Sequence, residues 1–335
     1  MTPTSALPVA DPQLAELLTG RLAVVEQRLR EAVAHSDALA GATSRHLVDA
    51  GGKRLRPLLT LLCAELGDGD RPEVVDAAVV VELTHLATLY HDDVMDSAPV
   101  RRGAPSAHEV WGNQVAVITG DLVFARASAI AAGLGPVAIR ILAATFERLC
   151  LGQLHETVGP PEGADPVEHY LQVLSDKTAS LLATSARFGA MFAGCSTEVE
   201  ASLMAYGEAA GVAFQLADDV IDLASDRTVT GKTPGIDLRD KVPTMPALLL
   251  RRRVGDGDGT DADRNLVRLL DSDLSEDRAL DRAVSELAGH DVVAATRTRA
   301  VQWADQAVHA LEPLPDGPVK RALVDFTEAL VHRTA

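Results

Sequence analysis

Two aspartate clusters constrain this chain more than any other feature: residues 92–96 (DDVMD) and 218–222 (DDVID), each closing an apolar stretch with helical spacing. Positions i and i+4 share one face of a helix, so the first and last aspartates of each cluster can reach the same ion. Two such helices facing each other would bring together carboxylates that repel one another and resist desolvation. A fold that pairs them therefore requires divalent cations, and with them an anionic ligand, for neutralisation.

A single cluster of this kind is more often a solvated helix face, and the chain is acidic throughout, with a formal net charge of -17. The second copy, equally apolar upstream, favours the metal site over that alternative. The same negative charge argues against a nucleic-acid partner, because a phosphate backbone requires clustered Lys and Arg. The few basic residues must be placed for a purpose.

Apolar residues that recur every three or four positions predict helices at roughly 13–34, 56–66, 73–97, 114–132, 136–158, 166–190 and 197–225, with shorter ones after them. A long loop is expected over about 226–246, and no strand pattern persists. Hydrophobic residues make up 47% of the chain but aromatic residues only 3%, which favours a helical body over a sandwich or barrel. We expect one all-α domain over residues 1–335, with residues 1–12 flexible.

The three cysteines, Cys63, Cys150 and Cys195, stand alone, without a CxxC pair or a His at ligand spacing. Neither a zinc site nor a disulfide framework is indicated, and a reduced cytoplasm is the simplest setting. No uncharged run approaches the length of a membrane span, and no leader pattern opens the chain. We expect a soluble cytoplasmic protein, which an apolar substrate or product can still bring transiently to a membrane.

A basic turn precedes the first cluster, at residues 51–57 (GGKRLRP). Glycine permits close backbone approach, a helix N-terminus contributes its dipole, and Lys53 and Arg56 can grip a diphosphate. The alternative is an ordinary basic loop in which Pro57 starts the helix. In so acidic a chain, three cations within seven residues favour an anion-binding turn.

Further candidates flank the first cluster. His85 lies seven residues before Asp92, on the same helical face, and can donate to the same anion, although a lone His on an apolar helix is more often a satisfied core residue. Residues 101–103 (RRG) form a second basic turn within reach of the metal site, or else simply end the helix with a solvated pair.

Polar residues also accompany the second cluster. Lys177 and Thr178 interrupt an apolar helix, and Gln215 lies three residues before Asp218 on its face. Gln215 is either a core hydrogen-bonding group or a carbonyl dipole aimed at a developing cation. In the loop after the cluster, Lys232 can meet a diphosphate on closure, whereas Lys241 reads more readily as a solvated surface residue.

In this order, the motifs resemble those of the trans-isoprenyl diphosphate synthases, the polyprenyl synthetase family, from about residue 45 to about residue 250. The resemblance rests on the GGKRLRP turn, the His85 helix with its aspartates, the RRG turn, Gly152-Gln153, Lys177-Thr178, Gln215 with the second cluster, and the Lys232 loop. It implies an isoprenoid-synthase-like helical bundle around a deep central cavity, and a homodimer.

The resemblance also implies the site. Isopentenyl diphosphate would be bound by Lys53, Arg56, His85 and Arg102, and the allylic diphosphate by Arg101, Lys177, Thr178, Gln215 and Lys232. Lys177, Thr178 and Gln215 would be the catalytic residues. Magnesium, three ions per active site once substrate is bound, would be held by Asp92, Asp96 and Asp218, with Asp93 and Asp222 as further ligands or supporting groups. Residues 237–246 (DLRDKVPTMP) depart from the family, which more often has Gly before the Lys, so Lys241 is the weaker assignment.

Small residues before the first cluster predict a long product. The family's short-chain members place bulky aromatics at the fifth and fourth residues before the cluster, where this chain has Ala87 and Thr88. Deeper along the helix, Thr84 and Val81 lie about 12 and 16 Å below Asp92. With these four residues as the wall, we expect an all-trans product in the heptaprenyl to nonaprenyl range, suited to a quinone side chain.

Other functions stay open at this point. A shorter-chain synthase making farnesyl or geranylgeranyl diphosphate would carry the same motifs. A terpene cyclase would ionise the same substrates but would need neither the GGKRLRP turn nor a second DDxxD cluster. A non-catalytic partner subunit would typically lack aspartates in one cluster, and this chain retains both.

Overall fold

The computed structural model describes residues 9–224 and 235–331. Lys232 lies outside the described residues, as do eight of the twelve N-terminal residues expected to be flexible. The helices are α1 (Pro12–Ala32), α2 (Ala38–Asp49), α3 (Leu55–Ala64), α4 (Pro72–Met95), α5 (Ala107–Trp111), α6 (Asn113–Gly133), α7 (Pro136–Val158), α8 (Pro166–Leu174), α9 (Ser180–Phe192), α10 (Thr197–Ala224), α11 (Ile236–Arg239), α12 (Met245–Gly255), α13 (Asp261–Asp271), α14 (Asp277–Ala288), α15 (Asp291–Ala310) and α16 (Pro318–Val331).

The all-α prediction is confirmed. Within the described ranges, extended structure is limited to two short antiparallel strands, β1 (Val100–Arg101) and β2 (Ala104–Pro105). The expectation of a single domain stays a prediction.

Local sequence explains where several helices begin. The Asp11 side chain accepts from the Leu14 amide at 2.9 Å, and Asp165 caps α8 in the same way at the Val167 amide, 2.8 Å away. Both helices start with a proline, whose missing N–H costs nothing at that position. At α13, Thr260 and Asp263 form a reciprocal capping box.

Contacts divide the chain into two compact units. The first contains the described residues up to Arg148 together with Ser180–Gly207 and Ala310–Asp325. Its central helix is α4, which packs against α1, α3, α6 and α9. Because neighbours surround it, α4 is buried along most of its length, which explains its continuous apolar sequence.

The second unit contains Leu149–Ala179, Glu208–His309 and the described residues from Phe326. Its core gathers apolar side chains of α8, the C-terminal half of α10 and α12 to α15, including Val212, Leu216, Leu250 and Leu280. The second aspartate cluster belongs to this unit, and the first cluster belongs to the other.

The helix expected at 166–190 is interrupted by a π-helical turn at Ser175–Ala179. This turn contains Lys177 and Thr178, and such turns often occur at functional sites. Helix α2 and the β1–β2 hairpin were not expected.

Two helices, α4 and α6, are long and apolar enough to cross a membrane by length and composition alone. A search for long uncharged runs does not find α4 and α6, because charged residues such as Asp76 and Asp121 interrupt their sequences. The most apolar window of α4 is 67% buried inside the protein and that of α6 is 33% buried. Core helices pass the same test, so the finding is weak evidence for a membrane span.

Candidate active site

The two basic turns of the first unit lie against each other. Arg102 and Gly103 have φ values of 54° and 78° and form the two-residue turn between β1 and β2. Nη1 of Arg102 donates to the carbonyl of Leu47 at 3.2 Å and to that of Gly51. A Cβ atom on Gly52 would lie 2.8 Å from Cζ of Arg102, so a side chain there would displace the guanidinium. The RRG hairpin is therefore docked on the GGKRLRP turn.

Arg54 holds the basic turn from inside. It is buried, adopts the left-handed conformation at φ 49° and precedes α3. Its guanidinium donates to Oε1 of Glu82 at 2.7 Å, to the carbonyl of Val48 at 3.0 Å, and to Glu26. Burial lowers the pKa of Arg54, but the Glu82 and Glu26 carboxylates outweigh it and raise that pKa above its usual value. Arg54 is thus committed to the fold.

Sequence reasoning did not identify Glu82. In the sequence, Glu82 is recognisable as the single acidic residue within the apolar run 77–84 of α4. In the structure, only 2% of Glu82 is exposed. A buried carboxylate requires partners, and the position therefore demanded a cation from elsewhere in the chain.

Arg56, His85 and Arg102 form an electropositive group in the same unit. Nε of Arg56 is buried and has no hydrogen-bond partner. The pKa of Arg56 is lowered to about 10, mainly by burial and to a smaller extent by the charge of Arg102, against the opposing effect of Glu82. Burial also lowers the pKa of His85 well below its usual value, and the charges of Arg56 and Arg102 act in the same direction. His85 is therefore neutral at neutral pH, and the positive charge of the group comes from Arg56 and Arg102. Lys53 lies exposed on the same turn.

The first aspartate cluster ends α4. Asp92 is half-buried and Asp96, the C-terminal cap, is exposed. Asp93 is fully buried and accepts from Nε of Arg101 at 2.6 Å. Burial raises the pKa of Asp93, while Arg101 lowers it. The structure thus turns Asp93 inward, to Arg101, and leaves Asp92 and Asp96 one helical turn apart.

The second cluster repeats this arrangement at the end of α10. Asp219 is 3% exposed and accepts from the Tyr170 hydroxyl at 3.0 and 2.9 Å and from the Met245 amide at 2.8 Å. Burial raises its pKa to about 8, although both donors oppose the shift. Asp218 and Asp222 are half-buried. Tyr170 and Met245 were not identified from sequence, because nothing local to them points to an aspartate 49 or 26 residues away.

Two of the three predicted catalytic residues of the second unit contact each other. The Thr178 hydroxyl donates to Oε1 of Gln215 at 3.4 Å, so the π-helical turn and α10 bring these two residues together. Nζ of Lys177 forms an ion pair with Glu156. Lys177 therefore has a carboxylate partner that a bound anion would have to compete with.

The four predicted wall residues lie along α4. Val81, Thr84 and Ala87 are fully buried and Thr88 is half-buried. Both threonine hydroxyls bond to backbone carbonyls of their own helix, Thr84 to Val80 and Thr88 to His85, each at 2.8 Å. They present no free polar group, and their role as a wall stays a prediction.

The aspartates fit a divalent cation by type and by position. Each cluster stands at the C-terminal end of a helix, where the macrodipole is negative, and neither α4 nor α10 has a basic residue in its last turn. Carboxylates at i and i+4 there are unfavourable until a cation neutralises them, and oxygen ligands are those that Mg²⁺ prefers. Among residues 9–224 and 235–331, no group of three or more His, Cys, Asp or Glu is arranged to hold a metal.

Known proteins resemble this chain in both sequence and structure. The family model for polyprenyl synthetases matches residues 37–287. The nonaprenyl diphosphate synthase of Mycobacterium tuberculosis is 41% identical over 333 residues, covering 99% of this chain and 98% of that protein. A polyprenyl synthase of Caulobacter crescentus, solved with calcium and isoprenyl diphosphate, has a TM-score of 0.86 at 31% identity and covers 98% of this chain and 99% of its own. A geranylgeranyl pyrophosphate synthase of Corynebacterium glutamicum, also solved with calcium and isoprenyl diphosphate, has a TM-score of 0.84 at 37% identity, with 96% and 98% covered.

Proposed function

This chain belongs to the polyprenyl synthetase family, and from that premise we propose that it condenses isopentenyl diphosphate head-to-tail onto an allylic diphosphate and extends it to a long-chain all-trans polyprenyl diphosphate. It is a prenyltransferase.

The observation that carries the proposal is the group formed by Arg56, His85 and Arg102. A buried guanidinium nitrogen without a partner, next to a second arginine, costs free energy. A diphosphate would supply the missing acceptors and charge, because phosphate oxygens match the planar donors of arginine. Isopentenyl diphosphate would bind here, with Lys53 reaching it from the exposed side of the turn.

The allylic diphosphate would be bound by Arg101, Lys177 and Lys232. Arg101 and Lys177 now pair with Asp93 and Glu156, and the substrate would draw on the same cations. Thr178 and Gln215, already joined by a hydrogen bond, would hold the Gln215 carbonyl dipole towards the carbon that becomes positive when the C–O bond ionises.

The reaction follows from the substrates. Ionisation of the allylic C–O bond leaves an allyl cation, the double bond of isopentenyl diphosphate attacks it, and the proton lost from the adduct passes to the released diphosphate. The chain's apolar helices would exclude water from the cation. A side chain acting as a general base is unnecessary.

Magnesium would be held by Asp92, Asp96 and Asp218, three ions per active site once substrate is bound, with Asp93 and Asp222 completing the clusters. The bound metal neutralises the diphosphate and makes it a better leaving group. The carboxylates contribute by standing at helix ends that favour a cation.

For product length, the small residues Ala87, Thr88, Thr84 and Val81 support a heptaprenyl to nonaprenyl product. The similarity to a nonaprenyl diphosphate synthase over nearly the whole chain supports it as well. The similarity to a geranylgeranyl synthase keeps a shorter product as the second candidate.

We also propose a cytoplasmic homodimer that touches membranes only to release product. Support comes from α6, an apolar helix on which Val117 and Ile118 are 39% and 65% exposed. Light scattering of the purified protein tests the dimer, and vesicle co-sedimentation with and without product tests the membrane contact.

The decisive experiment is product chromatography after incubation with labelled isopentenyl diphosphate, magnesium and primers of several lengths. We expect metal-dependent turnover and a ladder of products beyond C20. Turnover that stops at C20 would establish the shorter-chain enzyme. A volatile hydrocarbon formed without isopentenyl diphosphate would indicate a cyclase, and turnover only after a second protein is added would indicate a partner subunit.

A further inference from the structure

Glu82 touches both of the basic turns. It lies on α4, three residues before His85, with 2% of its surface exposed. Its Oε1 accepts from Nη1 of Arg54 at 2.7 Å and stands 3.8 Å from Nη2 of Arg102. Arg54 belongs to the GGKRLRP turn and Arg102 to the RRG hairpin, so one carboxylate oxygen connects two loops that are distant in sequence.

We propose that Glu82 is a positioning residue for the diphosphate of isopentenyl diphosphate: by linking Arg54 to Arg102, it fixes Arg56 and Arg102 as one anion-binding surface. The inference rests on the proposed function and extends it to a residue that does not itself touch the substrate.

The path from Glu82 to Arg56 is short. Arg54 stands in a left-handed conformation, and its carbonyl accepts the first helical bond of α3, from Leu58 at 2.9 Å. Holding the Arg54 guanidinium therefore holds the start of α3, and Arg56 lies only two residues farther along. If Arg54 moved, the unpartnered Nε of Arg56 would turn away from the position in which it meets an anion.

The path to Arg102 is electrostatic. Two backbone carbonyls, of Leu47 and Gly51, accept from Nη1 of Arg102, while Nη2 faces Glu82. Without the carboxylate, Arg54 and Arg102 would repel each other across a buried gap, and the exposed hairpin is the part free to yield. Glu82 thus keeps cations close together that would otherwise separate.

A simpler role for Glu82 is compensation of the buried Arg54, which Glu26 of α1 also provides. The two roles differ in outcome. Compensation alone affects folding, whereas positioning affects the affinity for one substrate. Glu26→Gln removes a carboxylate from Arg54 on its other side, and Asp76→Asn removes one charge from the solvent-facing side of α4, where Asp76 pairs with Arg28.

The test compares Glu82→Gln with these two variants in steady-state kinetics and in calorimetric titration with inorganic pyrophosphate. For Glu82→Gln we expect the KM for isopentenyl diphosphate to rise about tenfold, the size of one charged hydrogen bond, with kcat and the allylic KM within about threefold. Pyrophosphate affinity should weaken in parallel. Glu26→Gln should have a smaller effect on this KM, and Asp76→Asn none.

An unchanged or lower KM for isopentenyl diphosphate in Glu82→Gln would overturn the proposal and leave Glu82 as a counter-charge. A lower melting temperature with both KM values and kcat altered together would overturn it in favour of a structural role. Should Glu82→Gln fail to fold, Glu82→Asp keeps the charge but shortens the reach to Arg102, and the same selective rise in KM is expected. Absence of turnover in the wild type would refute the proposed function, while pyrophosphate titration would still test Glu82.

Discussion

Replacing Tyr170 by phenylalanine tests how the second aspartate cluster is held. The Tyr170 hydroxyl lies 3.0 and 2.9 Å from the two carboxylate oxygens of Asp219, and the Met245 amide donates to the same side chain at 2.8 Å. Asp219 therefore joins α8, the end of α10 and the start of α12. The substitution removes one donor and keeps the aromatic ring, which is 7% exposed.

The magnitude follows from the type of bond. Asp219 has a pKa of about 8 and is therefore ionised at pH 9, where the comparison is made. A single hydroxyl proton shared by its two carboxylate oxygens then makes one charge-assisted hydrogen bond, worth about 1.5–3 kcal/mol. No cavity larger than one oxygen atom is created, so the packing term is small. We expect Tyr170→Phe to lower the free energy of unfolding by about 2 kcal/mol. Because Asp219 stands between Asp218 and Asp222, two of the proposed magnesium ligands, the apparent affinity for Mg²⁺ in turnover should fall as well.

Tyr206→Phe is the matched control. Its hydroxyl is also buried but donates to a neutral acceptor, the carbonyl of Leu323 at 2.8 Å, for which about 1 kcal/mol is expected. Urea unfolding of both variants in the presence of a chelator measures the two losses, and a magnesium titration of turnover measures the second effect. A loss below about 0.5 kcal/mol in Tyr170→Phe, or a magnesium dependence identical to wild type, would refute the reasoning.

Three further outcomes are expected. Ala87→Phe should shorten the product, because it places an aromatic ring in the path of the growing chain about 7 Å below Asp92. An unchanged product ladder with a lower melting temperature would mean that Ala87 packs in the core and does not line that path. Asp92→Asn should reduce kcat at least about a hundredfold with the fold retained by circular dichroism; near-normal turnover would remove Asp92 from the metal site. Burial holds the pKa of His85 well below the ordinary 6.5, so only the unfolded chain takes up its proton as pH falls below that value. Wild type should therefore lose more stability than His85→Gln between pH 7 and pH 5, and equal losses in thermal melts would contradict this.

Apolar spacing was sufficient to predict α1, α4, α6, α7 and α10, because each is long and covers several turns of the same pattern. Helix α2 was missed because its sequence, ALAGATSRHLVD, is rich in small and polar residues. Its start depends on the Asp37 side chain accepting from the Ala40 amide at 2.8 Å, which does not show as periodicity. The π-helical turn at Ser175–Ala179 was missed because local sequence does not distinguish it from an α-helix.

The candidate site also has residues that the sequence indicates and residues that only the structure reveals. Residues proposed to meet an external ligand, such as Arg56 and Asp92, stand in short motifs whose chemistry is visible in the chain. Residues that hold those groups in place do not, because Arg54 lies 28 positions from Glu26 on one side and from Glu82 on the other, and the three meet only after folding. Sequence therefore indicates which groups are candidates to bind a ligand, and the structure adds which side chains contact those groups.

The two clusters share the pattern DDV-x-D, and in both the middle aspartate is turned into the protein, yet the two buried carboxylates have different partners. Asp93 pairs with the cation of Arg101, whereas Asp219 accepts from a hydroxyl and an amide, both neutral. The pKa of Asp219 is about 8, so at neutral pH this carboxyl is mostly uncharged, and asparagine keeps an oxygen acceptor there. Asp219→Asn should therefore change stability at pH 7 by less than about 1 kcal/mol. Asparagine at 93 leaves a guanidinium without its carboxylate, and Asp93→Asn should cost about 3 kcal/mol and also displace Arg101, a proposed ligand of the allylic diphosphate. Equal losses in the two variants, measured by urea unfolding, would show that burial alone, and not the partner, decides what each inward aspartate contributes.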